Sequence, residues 1–236
     1  MENTGYITIT RQSGLAKEMR VIANNIANAS TTGFRQEGMI FSEYIQEVPR
    51  GASLSMGQGN VRDTSFEQGG LTQTRGPFDF AIEGDGYFLI GTPQGERLTR
   101  SGAFTPNAEG ELVTYDGLPV LDVGGAPVFV PPGADITVGA DGTLSADGNP
   151  LGQIGIVQPI DPGDMIREDG VMFRADAGFE PAENARVMQG FVENSNVNAI
   201  QQMARMIEVQ RAYEMGQKFL EREDERVRAA LKALIT

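Results

Sequence analysis

Carboxylates are the only side chains in this chain plentiful enough to suggest catalysis or metal binding: 32 Asp and Glu occur among 236 residues, and histidine, cysteine and tryptophan are absent. Without Cys and His there can be no zinc site of the Cys/His kind, no thiol nucleophile, no disulfide and no Ser-His-Asp arrangement. What remains is acid/base work by paired carboxylates, oxygen coordination of a hard cation, or phosphate binding by a glycine loop. Glu109 and Glu111 are the sort of pair a glycosidase uses, but close pairs arise by chance among so many acids. Asp141-Gly142-Thr143-Leu144-Ser145 lacks both the oxygen ladder and the closing bidentate Glu of a calcium loop. Asp followed by Gly is instead what a tight hairpin requires. Gly84-Asp85-Gly86 and Gly57-Gln58-Gly59 have neither the third glycine of a dinucleotide fingerprint nor the Gly-Lys-Ser/Thr of a phosphate loop. The reading assigns no catalytic residue, cofactor or metal ligand.

The elements that would carry any site divide the chain sharply. All 12 prolines and 25 of the 30 glycines lie between Pro49 and Gly190, so helix breakers fill the centre and are nearly absent from the flanks. Leu15, Met19, Ile22 and Ile26, spaced four, three and four apart, predict a first helix from about Thr4 to Ala29 that stops in Asn28-Ala29-Ser30-Thr31-Thr32-Gly33. A last helix is expected from Ala199, with Asn198 as its N-cap. Its 3,4 repeat runs through Met206, Val209, Tyr213, Gly216, Leu220, Glu223 and Val227.

The centre reads as short strands. Phe78, Phe80 and Ile82 alternate, turn at Glu83-Gly84-Asp85-Gly86 and continue as Tyr87-Phe88-Leu89-Ile90, which predicts a hairpin. Further turns are expected at 107–110, 116–117, 124–125, 141–142 and 147–148. The expected fold is α+β: a discontinuous N- and C-terminal helical coiled-coil hairpin plus a central antiparallel β domain. Its parts are a helical assembly domain at 1–45 and 190–236, an extended connector at 46–77 and a β-rich outer domain at 78–189. A strand within the connector is expected at Asp63-Thr64-Ser65-Phe66.

Charge follows the same boundary. Residues 51–190 hold 20 acids against seven arginines, a net charge of −13, whereas the flanks balance 12 acids with 12 bases. An acidic centre repels nucleic acid and anionic lipid, and neutral ends can stack on like neighbours without accumulating repulsion. No apolar run reaches the roughly 18 to 20 residues needed to cross a bilayer, and 1–30 has neither the basic start nor the apolar core of a signal peptide. Asn24, Asn25 and Asn28 sit in an otherwise apolar helical stretch where Asn is a weak helix former. Such amides either fix register among packed helices or form a solvent-facing polar stripe, and periodicity leaves both open.

Three segments carry a resemblance. Ala23-Asn24-Asn25-Ile26-Ala27-Asn28-Ala29-Ser30-Thr31-Thr32-Gly33-Phe34-Arg35, Ala81-Ile82-Glu83-Gly84-Asp85-Gly86-Tyr87-Phe88, and Ser195-Asn196-Val197-Asn198 followed by Met206-Ile207 and Arg211-Ala212-Tyr213-Glu214 resemble, in order, signatures of the flagellar basal-body rod and hook family. The resemblance covers nearly the whole chain. It implies a structural subunit of the bacterial flagellar basal body, not an enzyme. Such a subunit leaves the cell through the flagellar type III export apparatus without a cleaved signal peptide, and polymerises with copies of itself and other rod proteins into the rod crossing the periplasm.

Met1 to Tyr6 departs from the usual start of distal-rod members and Glu221 to Arg228 resembles proximal-rod relatives, so the proximal-rod branch is favoured over the distal one. On this reading the terminal helices line the rod and transmit torque through many weak lateral contacts. The residues expected to pack between subunits are Leu15, Met19, Ile22, Asn24, Asn25, Ile26, Asn28 and Phe34 near the start. Near the end they are Asn196, Asn198, Ile200, Met203, Met206, Ile207, Val209, Tyr213 and Leu220. The competing class is a secreted β-rich binding module on a coiled-coil stalk.

Overall fold

The computed structural model describes residues 2–46 and 54–235. A first helix, α1, spans Glu2–Ala27, and a second, α2, spans Ala199–Ile235. At 1.5 Å per residue the 37 residues of α2 extend about 55 Å. Asn198 caps α2 as expected: its Oδ1 accepts from Ile200 N at 3.1 Å and Gln201 N at 3.2 Å, and its carbonyl accepts from Gln202 N.

Among the described residues, seventeen strands lie between the helices. In chain order they are β1 Glu37–Gln46, β2 Leu54–Thr64, β3 Leu71–Gln73, β4 Phe80–Glu83, β5 Tyr87–Thr92, β6 Gly95–Thr99, β7 Thr105–Pro106, β8 Leu112–Val113 and β9 Ile136–Val138, then β10 Thr143–Ala146, β11 Asn149–Gln153, β12 Ile156–Pro159, β13 Met165–Glu168, β14 Met172–Ala175, β15 Phe179–Pro181, β16 Arg186–Gln189 and β17 Phe191–Glu193. Every strand pairing is antiparallel among the described residues. The chain forms two compact units. One comprises the described parts of 1–29, 36–66 and 197–236, which hold α1, β1, β2 and α2; the other comprises 30–35 and 67–196.

In the helical unit, β1 and β2 pair from Glu37↔Thr64 to Gln46↔Leu54, with a register shift between Ile40 and Phe41. The expectation of an extended connector over 46–77 therefore needs revising, because 54–64 is one strand of a long hairpin. Its glycine- and glutamine-rich sequence hid the strand, since backbone hydrogen bonding to β1 requires no apolar alternation. Strand β1 carries Ile40, Phe41, Tyr44 and Ile45, residues that favour a pleated backbone.

In the β unit, the largest sheet runs β13-β14-β6-β5-β12-β15. Alternate residues of β5 enter two cores. Phe88 and Ile90 join Phe80, Phe104, Leu112 and Leu144 on one side, while Tyr87 and Leu89 join Leu98, Val157 and Phe173 on the other. Burial on both faces explains why β5 reads as an unbroken apolar run. Phe88 meets Phe104 edge to face, with ring centroids 5.3 Å apart.

The predicted hairpin of Phe78–Ile82 with Tyr87–Ile90 does not form: β4 pairs with β16, and β5 with β6 and β12. The Ile82 carbonyl accepts from Arg100 Nη1 at 3.2 Å and from Gln68 Nε2 at 2.6 Å, and the Gly84 carbonyl accepts from Arg100 Nη2 at 2.7 Å. The other predicted turns are present. At Asp147-Gly148 both residues have positive φ, 50° and 81°, the conformation of a tight hairpin turn that favours Asp-Gly. Asp141 accepts from Thr143 N at 3.0 Å and from Thr143 Oγ1 at 2.7 Å, so its carboxylate shapes a turn. Glu111 of the acidic pair accepts from Asn107 Nδ2 at 3.1 Å.

Candidate assembly interface

The two terminal helices lie antiparallel along one another, and side chains at three levels tie them. Asn25 Nδ2 donates to Gln202 Oε1 at 3.2 Å, Arg205 Nε donates to Glu18 Oε1 at 2.9 Å, and Gln12 Nε2 donates to Tyr213 O at 2.8 Å. The apolar fill between these levels comes from Val21, Ile22 and Val209, all buried, flanked by half-buried Leu15, Met19, Ile26, Met206, Tyr213 and Leu220. The 3,4 repeat through Met206, Val209, Tyr213 and Leu220 thus marks the face of α2 turned to α1. Glycine at 216 belongs to this face for a steric reason: a Cβ there would lie 2.0 Å from Gln12 Nε2, the atom that reaches the Tyr213 carbonyl. The hydrogen bond from half-exposed Arg205 to buried Glu18 raises the arginine's pKa above its ordinary value.

A second apolar face of α2 has no cover among the described residues. Ile200 is 81% exposed and Met203, Ile207, Met215, Phe219, Val227 and Leu231 are also exposed. Spacings of three and four residues keep Ile200, Met203 and Ile207 on one stripe, whereas Val227 continues the repeat of Leu220. Beside Met215 and Phe219 a groove of about 410 Å³ opens between the helices, lined also by Ile7, Leu15, Ala212 and Gly216, with Thr8, Arg11 and Gln12 as its polar members.

Within the chain the asparagines have distinct partners. Asn25 is 1% exposed and its amide replaces a strand partner for Glu37: Nδ2 donates to Glu37 O at 2.7 Å and Oδ1 accepts from Glu37 N at 3.0 Å. It fixes α1 on the β1–β2 hairpin and on α2, and all its hydrogen-bonding capacity on the hairpin side is spent inside the chain. Asn28 donates to Asn24 O at 2.8 Å and Asn24 Oδ1 at 3.1 Å, closing the end of α1. Asn24 itself is exposed.

Two of the singled-out residues lie in the β unit. Phe34 is buried beneath the guanidinium of Arg167, 4.5 Å from its ring centroid. Asn196 donates from Nδ2 to Glu67 O at 2.9 Å. Around them stands a group of charges that sequence reading passed over. Glu193, 1% exposed, lies 3.0 Å from Arg35 Nη2 and 3.2 Å from Arg100 Nη1. Burial lowers the Arg100 pKa, an effect that Glu193 opposes. Arg100 also lies over the ring of Tyr87, whose hydroxyl burial pushes to a higher pKa. Arg35 stood at the end of a quoted motif, but nothing local in the sequence joins it to residues 65 and 158 positions away.

Comparison with known proteins matches three family descriptions: "Flagella basal body rod protein" over 6–35, "Flagellar hook protein FlgE/F/G D1 domain" over 81–146, and "Flagellar basal body rod FlgEFG protein C-terminal" over 188–233. The first and third take in the helices, and the second lies within the β unit. The chain is 37% identical to the flagellar basal-body rod protein FlgF of Caulobacter vibrioides over 241 aligned positions, covering 99% of this chain and 98% of that protein. It is 38% identical to FlgF of Mesorhizobium japonicum, with 91% of this chain and 90% of that protein aligned. Against the rod protein FlgG of Caulobacter vibrioides the identity is 32%, over 93% of this chain and 96% of that protein. No helix among the described residues is long and apolar enough to cross a membrane.

Proposed function

Because this chain belongs to the flagellar basal-body rod protein family, we propose that it is a structural subunit of the flagellar rod that assembles with other rod proteins and copies of itself through its terminal helices. The carrying observation is the uncovered stripe of Ile200, Met203 and Ile207 on a helix already packed along its opposite side. Each such side chain contributes on the order of 1.5 to 3 kcal/mol when fully buried, so a few per subunit, repeated around a rod, make a wall from weak contacts. Such a wall would carry torque by lateral packing, and the helices would continue their pairing as coiled coils between neighbours. Within one organism the identity to FlgF exceeds that to FlgG, 37% against 32%, which supports the proximal-rod branch over the distal one. The route out of the cell is the flagellar export apparatus, without cleavage of a signal peptide.

The test is a chain carrying Ile200→Ser, Met203→Ser and Ile207→Ser, expressed in place of the native protein. It should fold, be exported at full length, and be missing from purified hook–basal bodies. Normal rods containing the triple variant would overturn the role of this face, and an intact-mass measurement of the exported chain tests the export route.

A further inference from the structure

The chain passes between its two units at four places: 29/30, 35/36, 66/67 and 196/197. On the β-unit side three of these passages, 35/36, 66/67 and 196/197, meet. Asn196 N donates to Phe34 O at 3.3 Å, and the carbonyl of Glu67 accepts from both Asn196 Nδ2 and the Arg35 guanidinium. Beneath them, Glu193 binds each passing segment. Its carbonyl accepts from Gly33 N at 2.7 Å, its Oε1 accepts from Gly69 N at 3.1 Å and lies 3.0 Å from Arg35, and its Oε2 accepts from Arg100 at 3.2 Å. The backbones approach so closely that only glycine fits: a Cβ on Gly33, which has φ of 69°, would lie 2.3 Å from Ser101 N, and one on Gly69 would lie 2.0 Å from Asn194 O.

We infer that Glu193 is a positioning residue for load transfer, a buried carboxylate that holds the segments through which the chain enters and leaves the β unit as one rigid anchor. Two features favour this over a purely stabilising role. A buried ion pair adds little to stability compared with apolar packing, whereas it fixes geometry through directional bonds. Moreover, Glu193 draws on three separate stretches of chain, 33–35, 69 and 100, rather than on its own strand neighbours. Load carried along α1, the β1–β2 hairpin or α2 then reaches the β unit through segments that Glu193 holds together. The mechanical part of this inference rests on the rod-subunit reading; the anchor itself does not.

The experiment uses the full chain with Glu193→Gln, which keeps the volume and removes the charge, beside a core variant such as Leu144→Val selected for the same Tm. Hydrogen exchange on the purified proteins should show the amides of Gly33, Gly69 and Asn196 exchanging about tenfold faster in Glu193→Gln, with β5 amides unchanged. The core variant should show no such local change. In cells, swimming of Glu193→Gln should fall more steeply than that of the core variant as medium viscosity is raised, and Glu193→Asp should restore part of the difference. A uniform rise of exchange throughout the β unit would overturn the anchor. Local loosening with swimming equal to the core variant at every viscosity would overturn load transfer while leaving the rod-subunit reading intact. Should Glu193→Gln fail to fold, Arg35→Lys, which retains charge and loses the guanidinium fork, is read by the same two measurements with the same deciding outcomes.

Discussion

Alternate residues of β5 each find a core, Phe88 and Ile90 on one side and Tyr87 and Leu89 on the other, whereas α2 has two apolar faces and the chain fills only one. The β unit uses its large side chains internally: Phe80, Phe88, Leu112, Leu144 and Phe173 are fully buried. The helical unit buries Val21, Ile22 and Val209 and leaves Ile200, Met203, Ile207 and Met215 in water. The difference teaches where the chain's stability is complete and where it depends on another molecule. It also separates the charges, because the acidic excess lies in 51–190 while the flanks are balanced, so the face left uncovered belongs to the part that like neighbours do not repel.

The largest effect expected is in the β unit. Phe88→Ala removes a ring packed against Phe104 and should cost about 3 to 5 kcal/mol. Thermal melts followed by near-UV signal from Tyr87 should show an early transition, while the helical far-UV signal holds its own midpoint. If both signals moved together, the two regions would be one cooperative body and the contrast drawn above would fail. The next effect lies in the helical unit. Asn25→Leu removes two hydrogen bonds to the buried backbone of Glu37 and should cost that unit about 2 to 3 kcal/mol. Asn24→Ala, on the exposed side of the same helix, should stay within about 0.5 kcal/mol of the parent. Chemical denaturation followed at 222 nm compares the two.

Much of this contrast was legible in the sequence. The distribution of proline and glycine located the helices to within a few residues, and the Asn198 cap and the Asp-Gly turns followed from local chemistry. What stayed hidden depends on partners distant in the chain. Periodicity alone could not say which of two 3,4 stripes on α2 turns inward, because Ile200, Met203 and Ile207 repeat as regularly as Met206, Val209 and Tyr213. The hairpin expected between β4 and β5 had the right strands and a plausible turn, yet β4 pairs with β16, more than 100 residues on, and β5 with β6 and β12. Asn25 looked like a register residue because a buried amide in a helix looks the same whether its partner is another subunit or, as found, the backbone of Glu37. Glu193 with Arg35 and Arg100 left no periodic trace at all, since each is an isolated charge in its own segment.

The two faces of α2 allow a sharper comparison within one helix. Val209→Ala removes buried methyl groups and should lower the stability of the helical unit by about 1.5 kcal/mol. Ile207→Ala, two residues away and half exposed, should change it by less than about 0.5 kcal/mol. Incorporation into basal bodies should rank them in the opposite order, with Ile207→Ala the more damaging once stability is allowed for. Equal incorporation of the two at matched stability would remove the reason for separating an inner face from an outer one.

The smallest effect returns to the β unit and concerns pH. Hydrogen bonds from the Thr143 side chain and backbone hold the Asp141 carboxyl below its usual pKa, and the Arg174 guanidinium does the same for Asp176. A carboxyl whose folded value is depressed contributes stability that is fully present above the unfolded value and is lost as pH falls through the folded one. The β unit should therefore lose denaturant resistance as pH falls below about 4, and Asp141→Asn, which keeps an acceptor but cannot titrate, should reduce that loss. Both carboxylates are solvent-exposed, so the change should be a small shift of the denaturation midpoint, confined to the β-unit transition. A midpoint difference between parent and variant that was the same at pH 7 as in acid would show that the turn depends on the shape of the side chain and not on its charge.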